Sequence, residues 1–334
     1  MSMRSLLVSF LLLGAPAAAQ PGQLSGPVAG YVYDQAASAL RPVRGVPGAA
    51  TLGDPLALGI APEAGFVAPR QDLAVLVATG GSTHWYSLSG NAATEVAAQG
   101  SIATPERVVF SPSGAAAALI GSRSVQVVTG LPARPALAGS IATTAGGCDA
   151  VRADAGANAG AAGRSACATP SLAVSDDGAW LLLASGNGLR LVAVASGSSI
   201  TLMPVGPSAA VAFSPGSHDA AIFTAGSLSL IHDAAGAASQ QLVARNSALA
   251  TAVGVAFSTD GATLWAAGGA GLVMSYDLAG GAVVELSSGA AATAMEPMGG
   301  FFRLNQAGAG PLWLGDPNAG SPRAFFVPPA ATSN

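Results

Sequence analysis

The sequence predicts an all-β fold, a single β-propeller of six or seven four-stranded blades closed by an N-terminal hairpin. Three observations lead to this prediction. A hairpin-like phrase recurs along the 334 residues, its copies have the spacing of propeller blades, and after the N-terminus no apolar run approaches the roughly 18 residues that a membrane-spanning helix needs. Because a closed repeat array is one body, we expect a single domain.

The clearest copy of the phrase is VAFSTDGATLW, which begins at Val255. A β-rich run ends in Phe-Ser, a polar turn closes on Gly261, and a second apolar run follows, which is typical of a tight antiparallel hairpin. Other copies begin at Phe66, Val108, Leu172, Val211 and Ala294. The turn positions that align the six copies are Pro69, Pro112, Asp176, Pro215, Thr259 and Pro297. Their spacings of 43, 64, 39, 44 and 38 residues are typical of propeller blades.

The number of blades depends on how the N-terminal hairpin is counted. The six copies give six inner hairpins, whereas the segment from Pro27 to Gly45 supplies a seventh outer hairpin without a first half. Its strand ending in Asp34 has the pattern of the third strands ending in Asp233, Asp277 and Asp316. We expect this hairpin to pair with C-terminal elements, which would close the ring and leave no open edge.

Large side chains should fill the space between blades. Small residues occupy the innermost strands, as a tight ring around an axis needs, and alternating apolar positions of the second and third strands should form the core. Four tryptophans are the expected large fillers: Trp85, Trp180, Trp265 and Trp313.

The first 19 residues predict a secretory signal peptide. Arg4 is followed by an apolar stretch from Leu6 to Leu13 and by a small-residue cleavage site that ends at Ala19. The alternative, a short membrane anchor, is disfavoured because the apolar stretch is too short to span. We therefore expect a secreted or periplasmic chain with no transmembrane segment after cleavage. The propeller should occupy residues 20–329, followed by a tail at 330–334.

One repeat carries an insertion at about 143–170. It contains almost no large apolar side chain and both cysteines of the protein, Cys148 and Cys167. In an exported protein two cysteines form a disulfide most economically, worth roughly 3 kcal/mol in the chain-entropy model. Metal binding by the pair is the weaker alternative, because no nearby histidine completes a ligand set.

Composition argues against nucleic-acid binding. Charged residues make up 9% of the chain, all 13 basic residues are arginines, and the net charge is −4. A nucleic-acid binder needs a basic stripe to neutralise phosphates, and the scattered arginines offer none. We expect a monomer whose partner is a protein, a glycan or a small ligand.

No motif predicts catalysis. The turn residues Asp72, Asp177 and Asp260 stand where hairpins favour Asn, Asp or Gly, and the strand-ending aspartates are expected to form local hydrogen bonds. Neither His218 nor His232 is placed to pair with a nucleophile. Dinucleotide, phosphate-loop, His-Glu-x-x-His and Gly-x-Ser-x-Gly patterns do not occur. We therefore assign no catalytic residue, no metal ligand and no cofactor.

Polar residues that should gather at one end of the propeller form the candidate binding site. Loops that join strand four to strand one, and strand two to strand three, meet on one face near the axis. Charged side chains in an apolar ring destabilise the fold unless they form ion pairs or bind a ligand. Glu106 and Arg107 could also have a purely structural role and pair with each other at the rim. Because Arg107 and Arg123 belong to one blade, we expect an anionic or carbonyl-bearing ligand. The candidate residues are Glu63, His84, Glu106, Arg107, Arg123, Asn187 and Asn305.

The copies from Val108, Val211 and Val255 onward contain FSPSG, FSPGS and FSTDG followed by an apolar strand. These phrases resemble the Phe-Ser-Pro-Asp-Gly phrase of secreted bacterial propeller repeats related to WD40 and YVTN arrays. The N-terminal stretch GYVYDQAASALRPVRGVPGAATLG is similar to the opening of uncharacterised exported propellers from acidobacteria. The Gly-His and Trp-Asp signatures of eukaryotic WD40 blades are missing, which disfavours an intracellular scaffold. The resemblance implies a fold rather than an activity.

Two functions are compatible with this fold. The first is a non-enzymatic, exported binding or scaffold propeller that presents loops on one face. The second is a hydrolase resembling propeller lactonases, and that resemblance implies an axial cation such as Ca²⁺ held by Glu63, Glu106, Asn187 and Asn305. A melting temperature that follows free Ca²⁺ would favour the hydrolase.

Overall fold

Twenty-seven strands form seven antiparallel sheets in the computed structural model, and the sheets are the blades of a propeller. The described residues are 26–142, 171–185, 188–206, 209–249, 251–287, 289, 291–317 and 323–329. Within these ranges there is no α-helix, and one 3-10 turn covers Ser247–Leu249. Blade 1 has three strands and blades 2 to 7 have four each, so the prediction of an all-β propeller is confirmed with seven blades.

The strands follow the chain from blade to blade. Blades 1 to 3 contain β1 (Val28–Asp34), β2 (Ala39–Arg44), β3 (Thr51–Leu52), β4 (Pro62–Val67), β5 (Leu73–Ala78), β6 (Thr83–Ser89), β7 (Ala92–Val96), β8 (Arg107–Phe110), β9 (Ala116–Ile120), β10 (Ser124–Thr129) and β11 (Ala136–Ala142). Blades 4 and 5 contain β12 (Ser171–Val174), β13 (Trp180–Ser185), β14 (Gly188–Ala193), β15 (Ser199–Met203), β16 (Ala209–Phe213), β17 (Ala220–Thr224), β18 (Ser227–His232) and β19 (Ser239–Arg245). Blades 6 and 7 contain β20 (Ala252–Phe257), β21 (Thr263–Gly268), β22 (Leu272–Asp277), β23 (Val283–Ser287), β24 (Glu296–Met298), β25 (Phe301–Arg303), β26 (Leu312–Asp316) and β27 (Arg323–Val327).

The recurring phrase forms the first hairpin of a blade, and its serine and aspartate hold the turn together. In blade 6 the Ser258 hydroxyl donates to the Asp260 carboxylate at 2.5 Å and accepts from the Thr263 amide at 2.9 Å. The turn closes on Gly261 with φ of +71°, a conformation that glycine adopts without strain. Blade 4 repeats the arrangement, with Ser175 bonded to Asp177 at 2.6 Å. These contacts confirm a turn-stabilising role for both aspartates.

A separate apolar cluster fills each junction between neighbouring blades. Seven such clusters occur among the described residues, one for each of the seven junctions around the ring. Trp85 and Trp265 are 2% and 4% exposed, which confirms them as fillers between blades. Trp180 and Trp313 are half-buried at the borders of their clusters. An unbroken succession of clusters means that the ring is closed by packing.

Blade 1 lacks a first strand within the described residues. Three hydrogen bonds fix the direction of β1. Near its start the Tyr31 amide donates to Gln71 in the first turn of blade 2, and near its end the Tyr33 hydroxyl donates to the carbonyl of Pro62, where β4 begins. After its end, the Gln35 amide donates to the carbonyl of Ala307 in the β25–β26 loop. Thus β1 runs in the direction of the second strand of a blade. The prediction of a third strand, based on the pattern ending in Asp34, is wrong. Among the described residues, six first strands therefore surround the axis, while seven blades form the outer ring.

The N-terminal hairpin closes the ring in a way that differs from the expected pairing. Its strands do not join the sheet of blade 7, which obtains all four strands from the C-terminal part of the chain. Val32 and Val43 instead pack against the apolar side chains of blade 7, and Tyr31 and Leu40 pack against those of blade 2. The only strand-like link between blades 1 and 7 in the described ranges is a parallel bridge between Asp34 and Ala307.

The alignment of the sixth copy of the phrase is also corrected. Pro297 lies inside β24, where it pairs with Phe302, and the turn follows at Gly299 and Gly300. The sixth copy is short and degenerate, so its sequence predicts a turn at Pro297, although the turn lies about two residues further along the chain. Glu296 is consequently part of the first strand of blade 7.

A carboxylate links three blades at the end of the ring where the first hairpins turn. Asp176 of blade 4 accepts hydrogen bonds from the amide and hydroxyl of Ser113 in blade 3, at 2.8 and 2.6 Å. Its other oxygen accepts from the amide of Gly216 in blade 5 at 2.8 Å. Burial raises the pKa of this carboxyl, but the hydrogen bonds outweigh burial and lower the pKa below its usual value. We call this arrangement the Asp176 clasp.

Candidate functional site

The candidate face is the end of the ring where first strands begin and second strands end, opposite the Asp176 clasp. Glu63 is the second residue of β4 and is exposed, and Glu106 is exposed immediately before β8. Arg107 is the first residue of β8 and is half-buried. The structure thus places all three predicted charges at this end of adjacent first strands.

Arg107 is the charge that burial affects most clearly. Loss of water lowers the pKa of its guanidinium, and attraction from the carboxylate of Glu296 partly offsets this effect. No ion pair joins Arg107 to Glu106, and Arg107 has no hydrogen bond from its side chain to any residue of the described ranges. The predicted rim pair between Glu106 and Arg107 is therefore wrong. Five donors of a partly desolvated guanidinium remain available to a ligand.

Glu296 belongs to a polar group that the sequence did not predict. Arg303 of β25 donates to the Glu296 carboxylate and, at 2.6 Å, to the side-chain carbonyl of Gln306. Glu296 was missed because the shifted alignment of the sixth copy placed it outside the first strand. The correct register would have identified it, since it is an acid in a strand that borders the axis.

A small cleft lies next to Glu296, where blade 1 lacks a first strand. Its empty volume, part of which is open to solvent, is about 270 Å³. The part of this space that a water-sized sphere can occupy is about 10 Å³, which is room for about one water molecule. Its lining residues are Tyr31, Tyr33, Gly65, Val67, Gln71, Glu296, Pro297, Met298 and Arg303. The cleft is therefore too small for a sugar ring or a peptide segment.

His84 also lies on the candidate face, at the start of β6, and it contacts two residues that the sequence reading did not select. Its Nε2 lies 2.9 Å from the Ser82 hydroxyl, and its Nδ1 lies 2.7 Å from a carboxylate oxygen of Glu95. Ser82 is two residues away in sequence, and Glu95 stands on the neighbouring strand β7. The pairing of β6 with β7 brings His84 and Glu95 together, and a prediction of that pairing would have identified Glu95.

The remaining predicted residues differ in their surroundings. Arg123 is exposed in the turn between β9 and β10, on the same face and blade as Arg107. Asn305 uses both ends of its amide within its own loop, donating to the Pro311 carbonyl at 2.9 Å and accepting from the Trp313 amide at 2.7 Å. Asn187 lies outside the described residues, as do the predicted signal peptide and the cysteines Cys148 and Cys167.

Neither a cluster of metal ligands nor a membrane-spanning helix is present in the described ranges. No group of three or more His, Cys, Asp or Glu side chains is arranged to hold a metal ion there. In the same part of the chain, no helix has the length and apolar character that crossing a membrane requires.

Comparison with known proteins supports the fold alone. No protein-family model matches the sequence, and no curated protein matches it. A functionally unknown protein from Desulfotomaculum acetoxidans DSM 771 is similar in structure, with a TM-score of 0.56 and 12% sequence identity over 90% of this chain and all of that one. A chain of a nidogen/laminin complex has a TM-score of 0.46 and 11% identity, covering 71% of this chain and 86% of its own. The conclusion is a seven-bladed β-propeller without an assigned family.

Proposed function

We propose that the chain is an exported binding propeller that holds a carboxylate-bearing ligand, without catalysis, at the Arg107 site of the candidate face. The observation that carries this proposal is the half-buried guanidinium of Arg107, which has lost water without gaining a hydrogen bond in the described ranges, and the attraction of Glu296 offsets that loss only in part. A charge in that position destabilises the fold unless a ligand compensates it. Export is inferred from the N-terminal pattern and from the resemblance to secreted bacterial repeats.

The neighbouring residues favour a carboxylate with further polar groups. Arg123 adds a second guanidinium on the same blade, and the planar fork of an arginine matches a carboxylate in two-point geometry. Across the axis, the Glu296, Arg303 and Gln306 group offers both acceptors and donors to hydroxyl groups. A sugar acid combines these features, so acidic glycans are the favoured ligand class.

A melting-temperature screen tests the proposal. Wild-type protein and the double variant Arg107→Gln/Arg123→Gln are melted with citrate, glucuronate, galacturonate oligomers and uncharged maltose oligomers. A galacturonate oligomer should raise the wild-type melting temperature in a dose-dependent way, since a ligand stabilises only the state that binds it. The double variant should lose this shift.

Arg134→Gln is the matched control. Arg134 is an exposed arginine of the same blade, in the turn between β10 and β11 on the opposite face. It should respond as the wild type does. Equal loss of binding in Arg134→Gln, or equal binding of maltose oligomers, would contradict the proposal. A melting temperature that instead follows free Ca²⁺ and falls with EDTA would favour the lactonase-like alternative.

A further inference from the structure

A serine, a histidine and a glutamate form a hydrogen-bonded chain on the candidate face of blade 2. The Ser82 hydroxyl lies 2.9 Å from His84 Nε2, and His84 Nδ1 lies 2.7 Å from Glu95 Oε1. We propose that Ser82, His84 and Glu95 form a nucleophilic site that hydrolyses small, activated esters. This site is separate from the Arg107 site, and it does not depend on the function proposed there.

The chemistry of the three groups fixes the direction of the chain. An ionised carboxylate can only accept a hydrogen bond, so Nδ1 of a neutral His84 must carry the proton that points to Glu95. Nε2 then has a free lone pair and accepts the hydroxyl proton of Ser82. This order of nucleophile, base and orienting carboxylate is the arrangement that activates serine in unrelated hydrolases.

The local backbone leaves the serine accessible. Ser82 is exposed and ends the turn that joins β5 to β6, and the side chain of His84 is 23% exposed. The preceding residues, Gly80 and Gly81, both have positive φ values, of +104° and +88°. A Cβ atom on Gly80 would meet nothing within 4 Å, so the turn is open at Gly80, whereas at Gly81 it borders the Thr104 hydroxyl, which lies 3.6 Å from the position of a Cβ atom.

The reaction balances with water as the second reactant. Ser82 Oγ attacks the acyl carbon and its proton passes to Nε2 of His84, and the imidazolium then protonates the departing alcohol. Water attacks the resulting acyl-serine, again giving its proton to Nε2, and the carboxylic acid leaves as Ser82 regains its hydrogen. Glu95 remains ionised throughout and holds the imidazole in place. No metal or cofactor enters the balance.

Substrate size follows from exposure. The 56% exposure of the Glu95 side chain and the open turn indicate that no deep pocket encloses the acyl group. Binding energy from a pocket is therefore small, and we expect turnover of short acyl esters with good leaving groups. Acceleration should lie near the lower end of what positioned acid–base groups give, about a hundredfold.

Another His–carboxylate pair in this chain provides a matched control. His218 Nε2 lies 2.9 Å from Asp177, but the nearby Ser175 hydroxyl donates to Asp177 and not to the imidazole. A serine, a histidine and a carboxylate are therefore present here as well, with Asp177 in place of a glutamate and without the serine–imidazole contact. If a surface histidine alone were sufficient for activity, His84 and His218 would contribute equally.

Two measurements on the full mature chain test the proposal. The first is labelling with a fluorophosphonate probe followed by peptide mass mapping, and the second is p-nitrophenyl acetate hydrolysis between pH 5 and 9. We expect the label on Ser82 and no label in Ser82→Ala. Hydrolysis should fall at least tenfold in Ser82→Ala and His84→Gln, several-fold in Glu95→Gln, and not at all in His218→Gln. The loss of rate at acid pH should disappear in His84→Gln.

Several results would overturn the proposal. These are an absence of label on wild-type protein, a label on another residue, or ester hydrolysis by Ser82→Ala as fast as that by wild type. Melting curves of each variant establish that the fold is intact, and the exposed position of Ser82 makes this the expected result. A preserved rate in Ser82→Ala together with loss in His84→Gln would identify simple imidazole catalysis and would equally reject the triad.

Discussion

At the scale of single residues, the surroundings of a charge separate function from turn chemistry. Asp260 is an exposed aspartate whose hydrogen bonds remain within its own hairpin, and exposed Asp177 adds to the same kind of bonds one contact with His218 of blade 5. Arg107 differs, because burial lowers its pKa and the described residues give it no hydrogen bond. A residue that costs stability in the free protein is a stronger candidate for binding than one that contributes stability.

Replacing Arg107 by Met should test this contrast. Met has similar length and is apolar, so the desolvated charge disappears while the packing remains. We expect the free energy of unfolding to stay constant or to rise by about 1 kcal/mol, since functional sites commonly cost stability. Urea unfolding at neutral pH measures this free energy of unfolding. A loss of more than about 1 kcal/mol would show that Arg107 stabilises the free fold.

At the scale of elements, the first-hairpin turns join blades to each other as well as reversing the chain. The Asp176 clasp connects the turns of blades 3, 4 and 5 through charged hydrogen bonds. On the other side of the ring, the Gly299 amide donates to the Pro69 carbonyl at 2.7 Å, which links the turns of blades 7 and 2. This second link bypasses blade 1, which has no first strand within the described residues, so the first hairpins of blades 7 and 2 lie next to each other.

Substitution of Asp176 by Asn should destabilise the protein in a pH-dependent way. The asparagine amide carries N–H groups, which are donors, and it would turn them toward a group that donates a hydrogen bond to the Asp176 carboxylate. We therefore expect the free energy of unfolding to fall by about 2 kcal/mol at pH 7. The folded-state pKa of Asp176 is lowered. The stabilisation is therefore complete above the unfolded-state pKa of about 3.9 and is lost as the pH falls through the folded-state pKa.

Urea unfolding at pH 7 and pH 3 of wild type, Asp176→Asn and Asp260→Asn measures this effect. The difference between wild type and Asp176→Asn should be smaller at pH 3 than at pH 7. Asp260→Asn serves as the control, because its bonds stay within one turn, and it should cost less at pH 7. A difference for Asp176→Asn that does not change with pH would show that the ionised carboxylate is not what holds the clasp.

At the scale of the whole molecule, the ring is held by seven apolar junctions and blade 1 completes it. Leu40 is fully buried at the junction of blades 1 and 2. Because the apolar clusters of the described residues join each blade only to its two neighbours, a weakened junction opens the ring instead of loosening one part of a common core. The stability of every blade should therefore depend on blade 1.

Leu40→Ala should lower the stability of the entire ring. The cavity should cost about 2–5 kcal/mol, as large-to-small changes in cores do. Far-UV and near-UV circular dichroism should show one coincident transition at a lower temperature. Leu242→Ala, at a leucine of β19 that is 48% exposed, should change stability by less than about 0.5 kcal/mol. A small early transition with the main one unshifted would mean that blade 1 is dispensable for closure.

The repeats made the fold predictable, while the site depended on contacts that no repeat encodes. Strand alternation, turn residues and spacing predicted the blades because each is a local property of one hairpin. The role of β1 could not be read in this way, since its direction is set by bonds to Gln71, Pro62 and Ala307 from other blades. The class of loop in which Arg107 lies predicted its face of the propeller correctly. A prediction of Glu296 would have needed the correct strand register of the degenerate sixth copy, and a prediction of Glu95 would have needed the pairing of β6 with β7.

Selective ¹⁵N-arginine labelling tests the central claim, that Arg107 binds a carboxylate at the candidate face, most directly. Nε–H resonances of the 13 arginines are assigned by substitution and followed during titration with a galacturonate oligomer. Because an Nε–H that donates to a carboxylate moves strongly, the account predicts a large, saturable shift for Arg107, a smaller one for Arg123 and none for Arg134. An unmoved Arg107 resonance at saturating ligand, or a larger shift for Arg134, would contradict it.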